Sequence, residues 1–289
     1  MSKQNFIILF ILYFSIIESQ DINYIELKDL IINEINNIGK RNIEDDINNE
    51  DIVLKGSSPF KKETKKDKTI ILTPKSGNYN YVLIFLHGLF QTPQKIVSKF
   101  DKSDNPLSNS FKIILPAAPV QKCSPAGGKK INSWFNVYRN GPTKIPLKEE
   151  EMDLEQYDAS SQIIKNLVIQ EASKINGDYS RIFVGGFSQG ACLTYDIGLS
   201  FNHLLGGIFS LCGIPFKHTK INKSIKDKLN ICIGLANFDE YFPLEQAKNT
   251  IKHVIGNAKK MKIKEFFGSH ELTNELVFAM EDYIKNKLI

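Results

Sequence analysis

The chain has 289 residues, 42% hydrophobic and 24% charged, with 37 Lys and Arg against 32 Asp and Glu for a net charge of +5. Those proportions exclude a wholly disordered, collagen-like or coiled-coil chain and allow one larger domain or two small ones. The basic surplus is nearly all Lys, with Arg only at Arg41, Arg139 and Arg181, so bidentate phosphate and base contacts have few donors and no nucleic-acid partner is expected. Four Cys are too few for a disulfide scaffold.

Residues 1–20 read as a targeting segment: Lys3 in a short polar start, then an apolar run from Phe6 to Ile17 broken only by Ser15. That run is too short for a bilayer core of ~30 Å, which needs about 20 residues, and it has the layout of a secretory signal peptide. The expected location is the secretory route, extracellular or vacuolar. A buried N-terminal helix and an uncleaved anchor are the alternatives, and without a working signal the chain would be cytoplasmic. Residues 21–68 read as an extension and linker: an amphipathic helix through Ile25, Leu30, Ile31, Ile35 and Ile38, stopped by Gly39, then a Lys-rich run. Cys123 lies in a loop-like stretch and Cys192, Cys212 and Cys232 in apolar segments; no pairing among them is assigned.

From Thr69 the pattern changes. Short β-rich runs at Thr69–Leu72, Tyr81–Leu86 and Phe111–Leu115 are followed by a helix over Leu154–Ile175 and a continuous apolar strand over Arg181–Phe187. Then come a helix over 189–203, strands over Leu205–Cys212 and Leu229–Leu235, a helix over Leu244–Ile255, a strand over Lys262–Phe267 and a closing helix over Glu271–Lys287. Strands alternating with helices imply an α/β fold, a mainly parallel sheet covered on both faces, with its chemistry at the carboxyl ends of the strands.

At one such end stands Gly186-Phe187-Ser188-Gln189-Gly190, between a strand and a helix. A tight strand-to-helix turn leaves no room for side chains two positions either side of the serine, and the helix N-terminus favours developing negative charge. A serine needs a base. Of five histidines, only His270 follows the last strand on a loop from which it can reach Ser188. The orienting acid is Asp239, on the loop after Leu229–Leu235, with Glu240 as its rival. Ser, Asp, His is the chain order of α/β-hydrolases. The oxyanion donors are the N–H of Gln189 and, in Phe85-Leu86-His87-Gly88-Leu89, the N–H of Leu89; His87 shapes that loop and is not the base.

These segments, with Pro116-Ala117-Ala118-Pro119-Val120, Ser133-Trp134-Phe135 and Gly185-Gly186-Phe187-Ser188-Gln189-Gly190, make the chain from about Asn80 onward resemble the acyl-protein thioesterase, lysophospholipase and carboxylesterase family of α/β-hydrolases. The resemblance implies hydrolysis of fatty acyl esters or thioesters (lysophospholipid, acylated protein or small ester) with no metal or organic cofactor. Trp134, Phe135 and the loop Gln121–Asn132 are candidates for the wall or lid of an acyl pocket, with burial in the core as the alternative for the two aromatics. The sequence departs from the family at Phe90-Gln91 and Asn136, where Gly-Asp and Asp are usual, and at Ala236-Asn237, where the acidic loop usually begins Gly-Asp. Those departures motivate a second reading, an inactive acyl-chain binding module on a hydrolase scaffold. The mild positive charge favours weak contact with anionic membrane faces. The oligomeric state is left open.

Overall fold

The computed structural model describes residues 57–138 and 149–289. Its main sheet has eight strands: β1 (Phe60–Thr64), β2 (Ile70–Pro74), β3 (Tyr81–Leu86), β4 (Phe111–Leu115), β7 (Ile182–Phe187), β8 (Gly207–Leu211), β9 (Ile231–Ala236) and β10 (Met261–Phe266), in the order β1-β2-β4-β3-β7-β8-β9-β10. From β4 to β10 every pairing is parallel; β1 and β2 are antiparallel at one edge. The helices are α1 (Pro93–Ile96), α2 (Leu154–Ser173), α3 (Gln189–Ser200), α4 (Lys223–Lys226), α5 (Leu244–Ile255) and α6 (Asn274–Tyr283).

Strand β3 shows why a central strand can be apolar throughout. Val82, Ile84 and Leu86 pack into the core on one sheet face, with Tyr157 and Ile164 of α2 and Ile251 of α5. Leu83 and Phe85 pack into the other, with Ile96 of α1 and Val277 of α6. A strand buried on both faces has no polar side to alternate. Helix α3 likewise lies inside the fold, buried from Gln189 to Leu199, so it lacks the one-sided stripe of a surface helix.

Local chemistry sets the ends. Asp153 caps α2 by accepting the Gln156 N–H at 3.0 Å. Gly177 stops the chain beyond α2 in a left-handed turn, φ 73°, its N–H donating to Ala172 O. Thr273 caps α6 through the Leu276 N–H, so this helix starts at Asn274, later than the expected Glu271.

Two further expectations need correction. Strand β1 lies inside the segment 21–68 read as extension and linker: its Lys-rich stretch forms an edge strand with only Phe60 buried. Both faces are exposed beyond Phe60, so no apolar run or alternation marks it. The loop Gln121–Asn132 contains a hairpin, β5 (Val120–Lys122) with β6 (Lys130–Asn132), turned by Gly127 and Gly128 at φ 66° and 78°. The signal peptide expected at 1–20 and the helix expected at 25–38 lie outside the described residues. Among the described residues no helix is long and apolar enough to cross a membrane, and the four cysteines are free.

Candidate active site

Ser188 stands between β7 and α3 with φ 55° and ψ −117°, a region that non-glycine residues occupy only where the surroundings enforce it. The enforcement is steric. A Cβ on Gly186 would lie 2.4 Å from the carbonyl group of Gly190, and one on Gly190 would lie 2.4 Å from Leu86 O. Both flanking glycines are therefore needed to bring β3, β7 and α3 together around the serine. Gly190→Ala is expected to cost about 3 kcal/mol, the upper range for overpacking, seen as a lower urea midpoint with an unchanged slope; a loss under about 0.5 kcal/mol would contradict the contact.

Loops after three strands converge on the Ser188 hydroxyl. His270, after β10, places Nε2 2.8 Å from Ser188 Oγ. Its Nδ1 is 2.8 Å from Asp239 Oδ2, on the loop after β9. Asp239 is 5% exposed, and its other oxygen accepts the N–H groups of Tyr241 and Phe242 at 2.9 and 2.7 Å. The two backbone donors hold one oxygen and leave the other on the imidazole. Glu240, the rival, only accepts the His270 backbone N–H at 3.2 Å. Phe187, Tyr241 and Phe242 enclose the imidazole, with ring centroids 5.0, 4.8 and 5.7 Å away. The sequence reading missed Tyr241 and Phe242; their place two and three residues after Asp239 was the available signal.

The Leu89 and Gln189 N–H groups have no backbone or side-chain acceptor among the described residues, and both residues line the cleft at Ser188. That cleft has a volume of about 540 Å³. His87 is fully buried, and burial pushes its imidazole down to about 4. Its Nε2 accepts the Ala118 N–H at 3.2 Å, which leaves the proton on Nδ1 to be donated to Gly88 O at 2.8 Å. A neutral, fixed imidazole of this kind holds the loop carrying Leu89 and is far from being a base.

Trp134 does not line the cleft, against its reading as a substrate-binding residue. It is fully buried, and its indole N–H donates to His87 O at 2.8 Å. Phe135 is also buried, against Tyr157 and Phe216, but reaches the cleft wall. The Ser133-Trp134-Phe135 segment is a brace. Gln189 Oε1 accepts the Trp134 N–H at 2.9 Å, and Gln189 Nε2 donates to Phe135 O at 2.6 Å. This ties the loop with Leu89 to the turn with Ser188 through one tryptophan. Of the hairpin proposed as wall or lid, Pro125 lines the cleft.

The departures from the family pattern are accommodated locally. Phe90 adopts φ 61° and is half-exposed at the cleft rim, while the Gln91 side chain accepts the Gly88 N–H at 2.9 Å. Asn136 both accepts from the Ser124 N–H at 2.7 Å and donates to Ser124 Oγ at 3.0 Å, a pair of roles that a carboxylate could not fill. None of these changes separates Ser188, His270 and Asp239. Cys212 Sγ lies within 4.8 Å of donor atoms of Asp239 and His270. Burial pushes its thiol well up, and the other two groups are engaged with each other, so the trio is poorly suited to a metal.

A mainly parallel sheet with a serine at the β7–α3 turn, and an acid and a histidine on later loops, defines an α/β-hydrolase. The family profile described as Phospholipase/Carboxylesterase matches residues 67–288, so the chain belongs to that family of carboxylic ester hydrolases. Acyl-protein thioesterase 1 of Eremothecium gossypii is 31% identical over 217 residues, 72% of this chain and 88% of that protein. Lysophospholipase-like protein 1 of Mus musculus is 28% identical over 205 residues, 69% of this chain and 80% of that one. The crystal structure of Zea mays acyl-protein thioesterase 2 has a TM-score of 0.61 at 19% identity, covering 78% of this chain and 100% of that one, a likeness of fold.

Proposed function

We propose that the chain hydrolyses fatty acyl esters or thioesters through an acyl-enzyme on Ser188. The observation that carries this reading is the single imidazole, His270, 2.8 Å from both Ser188 Oγ and Asp239 Oδ2. Ser188 Oγ attacks the acyl carbonyl carbon as His270 Nε2 takes its proton. Asp239 holds the Nδ1–H tautomer and stabilises the imidazolium. The Leu89 and Gln189 N–H groups receive the oxyanion. The tetrahedral adduct collapses, the alcohol or thiol leaves with the proton from His270, and a water deprotonated by His270 releases the acid and regenerates Ser188. Cys192 also borders the cleft, but burial pushes its thiol up to about 12, so it stays protonated and is no rival nucleophile.

The names of the relatives support acyl-protein and lysophospholipid substrates alike. With the signal-like residues 1–20, we favour lipid esters met on the secretory route over cytosolic acylated proteins. A fluorophosphonate probe should label wild-type protein on Ser188, and a panel of aryl esters, lysophospholipids and acyl thioesters should show turnover of at least one class. Absence of both labelling and turnover would return the chain to the alternative, a binding module on a hydrolase scaffold. Amino-terminal sequencing of protein exported by a eukaryotic host should find the mature chain starting near residue 20; retention inside the cell with Met1 intact would remove the secretory reading.

A further inference from the structure

A second cavity, about 710 Å³ in volume, shares no lining residue with the cleft at Ser188. It lies where α6 faces the edge of the sheet formed by β8, β9 and β10. The parallel register puts Phe209 and Lys262 on either side of Cys232, and Leu211 and Lys264 on either side of Gly234. Residues side by side in this way point to the same sheet face. Beneath a helix that face should be apolar. Phe209 and Leu211 obey the rule; β10 is the edge strand, and there the same face continues into the exposed Lys262 and Lys264.

The two lysines stand at the rim of an apolar floor. Both are exposed, and among the described residues neither ammonium has a carboxylate partner. Lys262 Nζ lies 5.2 Å from the centre of the Tyr283 ring, which marks one end of the groove, because α6 runs back along β10. Phe266, Glu271 and Glu275 border the other end. From Lys262 to Phe266 the strand advances roughly 13 Å at about 3.3 Å per residue. The volume is within the range of small-molecule pockets.

We infer that this groove binds a long-chain fatty carboxylate, with its chain on the apolar floor and its head group at Lys262 and Lys264. Charge complementarity selects the ligand and its direction. The ammonium groups of Lys262 and Lys264 attract a carboxylate, whereas at the other end Glu271 repels it and Glu275 is partly offset by Lys99 and Lys102. A neutral lipid would leave both lysines without a counter-charge. The class is that of the acid released by the proposed reaction, yet the site does not depend on that reaction, since it holds none of the residues at Ser188.

The test is titration of the full chain with cis-parinaric acid, whose fluorescence rises in apolar surroundings, followed by displacement with palmitate or hexadecanol. Saturable binding at one site is expected, with palmitate displacing the probe at least tenfold better than the alcohol. The double variant Lys262→Glu, Lys264→Glu should weaken binding at least tenfold. So should Ala279→Trp, which fills the groove from its exposed rim on α6. Aryl ester turnover by both variants should stay within twofold of wild type. Absence of saturable binding, equal displacement by the alcohol, or binding that survives both variants would overturn the inference. A chain that binds the probe in this pattern but hydrolyses no ester would keep this site and refute the proposed function.

Discussion

Ser188→Ala is expected to lower kcat on an aryl ester by about 10⁶, as removal of a triad nucleophile does elsewhere, while leaving the thermal midpoint nearly unchanged. The fold should tolerate the change because alanine keeps the Cβ that the φ 55° turn already accommodates, and only the hydroxyl facing His270 is lost. Asp239→Asn is expected to cost about 10⁴. An amide in that place can present an N–H to His270 Nδ1 and favour the tautomer with its proton on Nε2, the wrong atom for accepting one from serine. Glu240→Gln should cost less than tenfold, since Glu240 reaches only the His270 backbone. Steady-state kcat and KM for the three variants, with thermal melts as the control for folding, check the set. Activity of Ser188→Ala within tenfold of wild type would remove the acyl-enzyme mechanism, and equal losses for Asp239→Asn and Glu240→Gln would remove the assignment of Asp239.

The second large effect is on stability and concerns two buried groups at opposite ends of the pH range. Burial pushes the Glu281 carboxyl from its ordinary 4.5 up to about 8, against a partial offset from Asn105, whose side-chain amide donates to it at 2.7 Å. Between those values the folded chain holds a proton that the unfolded chain has released, so stability falls as pH rises. His87 is pushed down from 6.5 to about 4; between those values the unfolded chain binds a proton that the folded one excludes, so stability falls as pH drops. From pH 4.5 to 6.5 the two slopes cancel. From 6.5 to 8 only Glu281 acts, and about 1.5 pH units at 1.36 kcal/mol each give a loss of roughly 2 kcal/mol. Urea unfolding at pH 6.5 and 8 should show that loss in wild type. Glu281→Gln keeps an acceptor for Asn105 and cannot ionise, so its stability should change by less than about 0.5 kcal/mol over the same interval. An undiminished loss in the variant would show that another group carries it.

The elements that the sequence revealed are those whose burial is uniform or strictly periodic. Strands β3 and β4 are buried on both faces, and α5 alternates on a helical period, so each could be located to the residue from its own composition. Strand β1 and the hairpin β5–β6 were missed for the opposite reason. Four of five residues in β1 face solvent, and the hairpin is closed by two glycines in left-handed turns rather than by any apolar pattern. Among the site residues, Ser188 was legible because the steric demand of its turn is written into the adjacent glycines. Asp239 and His270 were legible from their place after strands; Glu240 stayed a rival to Asp239 because two adjacent carboxylates on one loop differ only in where the backbone aims them.

Trp134 marks the limit of such reading most clearly. A signature segment beside a hydrolytic site invites a role in binding substrate, but the indole lies in the core with its N–H spent on His87 O. What the sequence determined by itself is the chemistry on offer: an α/β chain with a serine forced into a tight turn, a histidine and an acid on later loops, and a carbonyl-binding loop after an early strand. These follow from local sterics and from hydrophobic period, which neighbouring residues carry. Only the tertiary structure decided which carboxylate faces the imidazole, which aromatic reaches the cleft, and that two lysines face an apolar groove beside α6. Those outcomes depend on the register of β8, β9 and β10 and on contacts between residues tens of positions apart, and nothing in a local stretch of sequence encodes them.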